Sequence, residues 1–113
     1  MNYIDAHCHL LDENEIQLGR TTGVETIICN ATNPYDWEKV LALKDVIHAI
    51  GIHPWYVSDL NENAIGDLEN LLIQNPNCHI GEIGLDKCKK DFYKQEEVFE
   101  EHSDNSHLLC RAL

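Results

Sequence analysis

His7 and His9 stand two residues apart in Tyr3-Ile4-Asp5-Ala6-His7-Cys8-His9. If that segment is a strand, side-chain alternation puts both imidazoles on one side, where they can meet one metal ion. The same spacing also suits two polar positions near a strand end. Asp5 shares that face and could orient a ligand histidine from behind. Glu82, in Gly81-Glu82-Ile83-Gly84, is a carboxylate inside an apolar run. A buried carboxylate without a partner is costly, so a cation or a donor is expected beside it, unless the strand is an edge and turns Glu82 to water. His53, ahead of Pro54 and Trp55, is either a substrate-side group or a polar residue in an aromatic turn. His48 and His79 fall inside apolar runs and read as hydrogen-bonded core or surface histidines. Glu96, Glu97, Glu100 and Glu101 read as a solvated helix face, not a catalytic carboxylate pair. Cysteine does not read as a nucleophile, since Cys8 lies between two histidines on the opposite strand face and the other thiols have no local base or helix-start setting to lower their pKa.

The elements that would position these groups alternate in type. Residues 3–8, 24–29, 46–52 and 78–84 are short, apolar and β-branched, and read as strands. Between them, Asn33-Pro34 reads as a helix start, with Trp37, Val40 and Leu41 on one buried face. Asp59 is expected to cap a longer helix whose stripe is Leu60, Ala64, Leu68, Leu71 and Leu72 and which ends near Asn75-Pro76. A first helix over about 13–20 is weakly patterned. A last one, 92–102, is polar with Phe92 and Phe99 seven apart. Strand-helix alternation with nearly continuous apolar strands predicts an α/β fold with a parallel sheet covered by helices.

The chain of 113 residues has room for one domain. With 8 Lys and Arg against 20 Asp and Glu, its formal net charge is -12, which excludes a protein that simply coats DNA or an anionic membrane. The five cysteines are scattered without a Cys-x-x-Cys pair, which argues for a reducing compartment. No secretory signal or long apolar run is readable, so a cytoplasmic location without membrane attachment is expected.

Three motifs, Ile4-Asp5-Ala6-His7-Cys8-His9-Leu10, Gly51-Ile52-His53-Pro54-Trp55 and Gly81-Glu82-Ile83-Gly84-Leu85-Asp86, together resemble the TatD family of metal-dependent DNases in the amidohydrolase superfamily. The segment from Phe92 to Phe99 is similar to the Gln-containing helix that follows the glutamate strand in that family. The resemblance covers residues 2–102 and implies the N-terminal half, about four β/α units, of a (β/α)8 barrel that hydrolyses phosphodiester bonds in DNA. It implies that His7 and His9 hold one divalent metal (Zn, Mn or Mg), that Glu82 bridges two and is catalytic, and that Asp5 and His53 are substrate-side or supporting groups. DNA or a small phosphoester would be the substrate.

Such a barrel usually needs roughly 250 residues. Residues 103–113 depart from the family pattern: in Leu108-Leu109-Cys110-Arg111, Leu109 stands where a metal histidine is expected, and His107 lies two residues early. The expectation is therefore one truncated domain that keeps ligands for about one of the family's two metals, with activity impaired. A non-catalytic metal-binding interaction module and a non-functional remnant are the alternatives. Four strands cut from a barrel would leave sheet edges open to self-association.

Overall fold

The computed structural model describes residues 1–104. The expectations placed on His107 and on Leu108 to Arg111 lie outside the described residues. Four strands, β1 (Tyr3–Cys8), β2 (Val24–Asn30), β3 (Ile47–Ile50) and β4 (His79–Ile80), form one parallel sheet in the order β1-β2-β3-β4. The helices α1 (Glu13–Thr21), α2 (Pro34–Leu41) and α3 (Ala64–Gln74) connect them, and α4 (Phe92–Asp104) follows β4. Parallel strands need crossover connections, and helices supply them while covering the sheet's apolar face.

Local chemistry sets the boundaries. The Asp12 carboxylate accepts from the Asn14 N–H at 2.8 Å and starts α1. Asn33 does the same for the Tyr35 N–H at 3.0 Å, with Pro34 at the first helical position. Trp37 and Val40 turn inward from α2, Leu68 and Leu72 from α3, and they meet Ile27, Cys29, Ile50 and Ile80 of the sheet. The Trp37 indole N–H donates to the Gly51 carbonyl at 2.8 Å, so even the polar atom of this buried ring is satisfied. At the other extreme, β1 is an edge strand with Tyr3 and Ile4 more than half exposed.

The structure corrects four expectations. Asp59 does not cap α3: it closes a 3-10 helix, Pro54–Asp59, that follows β3 after Gly51, Ile52 and His53, and α3 starts at Ala64 behind Asn63. Leu60 consequently reaches the core from an extended residue outside α3. Strand β3 stops at Ile50 and β4 is only His79–Ile80, so Glu82 lies just past a strand, not within one. The reason is a close approach: a Cβ on Gly51 would lie 2.2 Å from the Glu82 carbonyl oxygen, so the two segments cross in contact after the Gly81 N–H bonds the Ile50 carbonyl at 2.9 Å. Finally, the buried stripe of α4 is Gln95, Val98 and His102, while Phe99 is 37 % exposed. A buried glutamine with partners outweighed the apolar spacing.

Candidate metal centre

Strand β1 ends by alternating. Cys8 turns to the core, its Sγ 3.5 Å from that of Cys29, its register partner on β2. Burial is the main reason that the Cys29 thiol is pushed up to about 12, with the neighbouring Cys8 sulfur adding to it. His7 and His9 turn the other way, and their rings meet edge to face with centroids 4.9 Å apart.

Glu82 arrives from the far side of the sheet. Its Oε1 lies 2.7 Å from His7 Nε2 and 3.5 Å from His9 Nε2. The main chain that carries it is confined by two glycines. A side chain at Gly51 would collide with the Glu82 carbonyl, and one at Gly81 would come within 2.7 Å of the Asn30 side-chain oxygen. Both histidine side chains are about half exposed, at 53 % and 50 %, whereas the Glu82 side chain is 17 % exposed. The carboxylate is thus the sheltered member and the imidazoles form the open side.

The donor chemistry fits a divalent cation. One donor atom from each of His7, His9 and Glu82 lies within 4.8 Å of the others. Ligand bonds of about 2.0 to 2.2 Å let two donors of one ion sit up to about 4.2 Å apart, and both histidine–glutamate separations fall inside that limit. His9 is also held in the tautomer a metal needs: its Nδ1–H donates to the Asn30 carbonyl at 2.9 Å, which leaves the Nε2 lone pair for the cluster. Two imidazoles and one carboxylate are a three-donor set of the kind that leaves a position for water or substrate.

Asp5 and His53 are placed differently. Asp5 Oδ1 accepts from the His7 backbone N–H at 3.1 Å, so it braces the main chain under His7. His53 Nδ1 accepts from the Trp55 N–H at 3.1 Å and caps the 3-10 helix, its ring edge-on to Trp55 and Tyr56. It shares a cavity of about 410 Å³ with His9, Glu82 and Trp55. A neighbouring cavity of about 440 Å³, lined by Asn33, Tyr35, Tyr56 and Leu60, contains none of the three donors. His48 donates from Nε2–H to the Leu43 carbonyl at 2.8 Å and, like His79, stands outside the donor group.

A second network escaped the sequence reading. Asp86 Oδ2 accepts from the Trp55 indole N–H at 2.6 Å and Oδ1 from the Cys88 N–H at 2.9 Å. The Trp55 bond first, then Cys88 and Lys89, hold the Asp86 carboxyl below its ordinary value. Gln95, buried on α4, accepts from the Asp86 N–H at 2.7 Å and donates to the carbonyls of Asp86 and Lys90 at 3.1 and 3.3 Å. Trp55 and Asp86 each lie in a recognisable motif, but 31 residues separate them and no spacing rule pairs them.

Comparison with known proteins bears on the whole arrangement. The fold matches the structure of YjjV, a TatD homologue from Escherichia coli K12, with a TM-score of 0.78 and 27 % identity over 90 % of this chain and 45 % of that one. It also matches a TatD family hydrolase from Entamoeba histolytica, with a TM-score of 0.74 and 22 % identity over 96 % of this chain and 48 % of that one. The chain therefore spans less than half the length of either, and its four-stranded sheet corresponds to the N-terminal part of their barrels. No curated protein matches the sequence. The TatD related DNase family model matches residues 4–109, which takes in every motif above and continues past His102. On that span, the chain belongs to the TatD related DNase family.

Proposed function

We propose that this chain carries the first-metal half of a TatD-type hydrolase site and that its substrate is a phosphodiester of DNA. The observation that carries the reading is the convergence of His7 and His9 with Glu82, which follows His7 by 75 residues in sequence, so that one donor atom of each lies within 4.8 Å of the others. When bound, a divalent ion supplies Lewis acidity to a phosphate oxygen and to the attacking water. The residues of the chain do the rest. His9 presents a lone pair fixed by Asn30, and His7 is held at the strand end by Asp5. Glu82, sheltered between two glycine-permitted contacts, supplies the negative charge of the donor set and is the catalytic carboxylate. His53 lines the cavity that holds His9 and Glu82 with its Nδ1 taken by the Trp55 N–H, which leaves Nε2 as the nitrogen to meet a substrate oxygen.

A reducing, cytoplasmic setting accords with Cys8, Cys29, Cys78 and Cys88, none of which is in a disulfide among the described residues. No helix among the described residues is long and apolar enough to cross a membrane. One observation favours a second reading, metal binding without turnover: Glu82 is the single carboxylate in the donor group among the described residues.

Calorimetric titration with Mn or Zn tests the proposal. Stoichiometry near one, abolished by His7→Ala and by Glu82→Gln, is the expected result. Binding indifferent to both substitutions would refute it. Metal-dependent cleavage of single-stranded DNA by the same sample then separates the two readings.

A further inference from the structure

The loop between β4 and α4 concentrates positive charge in an acidic chain. Lys87, Lys89 and Lys90 are three of its eight cationic side chains in four consecutive residues. All three are exposed, and none has a carboxylate within 4 Å among the described residues. The Lys89 Nζ stands 4.0 Å from the centroid of the Trp55 ring, and Trp55 lines the cavity that holds His9 and Glu82.

This placement is built, not incidental. Gln95 grips the loop at both ends through Asp86 and Lys90, and the Asp86 carboxylate ties the Trp55 indole to the Cys88 amide. The Lys89 N–H closes the turn on the Asp86 carbonyl at 3.1 Å. A buried glutamine with three hydrogen bonds thus holds an otherwise irregular loop so that an ammonium and an exposed indole lie together at the rim of the metal cavity. As a purely structural contact, an exposed cation over an aromatic ring contributes little to stability. As a binding surface, the same pair offers what a nucleic acid strand presents next to a reacting phosphate: another phosphate and a base face.

We propose that Lys89 and Trp55 form a nucleotide-binding subsite that takes a non-reacting phosphate and its base from a single-stranded nucleic acid whose reacting phosphate lies at His7, His9 and Glu82. This rests on the phosphodiesterase reading of that cavity and specifies its substrate: a strand of several nucleotides is held at two points, and a small phosphoester at one. The net charge of -12 makes the subsite more selective, because the rest of the surface repels a polyanion.

The test is fluorescence anisotropy of a short, labelled phosphorothioate oligothymidine, titrated with the chain in Mn buffer over a range of salt. Lys89→Glu is expected to weaken binding by roughly fivefold or more and to lower the salt slope by about 0.7, the value for one phosphate contact on a single strand. Lys89→Arg is expected to restore both. Lys39→Glu, the same charge change at an exposed position of α2, is expected to leave the slope unchanged. Trp55→Phe is expected to weaken binding with the slope unchanged. Calorimetric Mn binding by Lys89→Glu is expected to equal that of the unsubstituted chain. Equal weakening by Lys89→Glu and Lys39→Glu would overturn the subsite, and so would no oligonucleotide binding by a chain that binds Mn. Lys89-dependent binding by a chain that fails to bind Mn would keep the subsite and overturn the metal reading.

Discussion

Gly51→Ala is the sharpest perturbation the structure offers, because one methyl group separates the requirements of the site from those of the core. The added Cβ would stand 2.2 Å from the Glu82 carbonyl oxygen, 3.1 Å from its carbon and 3.2 Å from its nitrogen. Ordinary contact begins near 3.4 Å, so the obstacle is the Glu82 main chain, with no flexible side-chain end to give way. The crossing must open by about 1 Å. Overpacking of this kind generally costs about 1 to 3 kcal/mol. Since Gly51 also accepts the Trp37 indole N–H at 2.8 Å, part of the strain falls on a buried hydrogen bond. A displacement of about 1 Å in a positioned group costs on the order of 100-fold in function. Urea melts and Mn calorimetry on Gly51→Ala are therefore expected to show a lower midpoint together with metal affinity reduced by one to two orders of magnitude. Gly66→Ala, where a Cβ would meet nothing within 4 Å, is the control and should leave both unchanged. A Gly51→Ala chain with the parent's midpoint and the parent's affinity would refute the claim that this contact places Glu82.

Gln95→Leu leaves the Asp86 amide without its acceptor and is expected to lower stability by about 2 to 3 kcal/mol in urea melts, at roughly 1 kcal/mol per net hydrogen bond. Burial holds the His102 imidazole below its ordinary value of 6.5, against the opposing Val98 hydrogen bond and the Glu101 charge. The unfolded chain therefore binds the proton more readily, and stability present above pH 6.5 is lost as pH falls through that value. The difference in urea midpoint between the parent and His102→Gln should change in that direction between neutral and mildly acid pH, and a pH-independent difference would contradict it. Iodoacetamide mapping at neutral pH should label exposed Cys88 and spare Cys29, whose thiol is buried and pushed up to about 12.

Much of this molecule is written locally. Alternation in Tyr3 to His9 determined that both histidines share a side, and the structure has them there. Asn33-Pro34 determined where α2 starts, and apolar β-branched runs determined four strands in a parallel order. These features depend on neighbours in sequence, which a single chain displays. What it did not display was the outcome of contacts between distant segments. The strands β3 and β4 end early because Gly51 and Glu82 meet, α4 buries Gln95 in preference to Phe99 because Asp86 and Lys90 supply partners, and Asp59 loses its expected helix because Pro54 starts a turn first. Sequence by itself determined the residue types of the site and the family they point to. Only the tertiary structure decided that Glu82 reaches both imidazoles, that Asp5 braces backbone, and that Trp55, Asp86 and Lys89 gather at the cavity rim, since each depends on backbone separations that no spacing along the chain encodes.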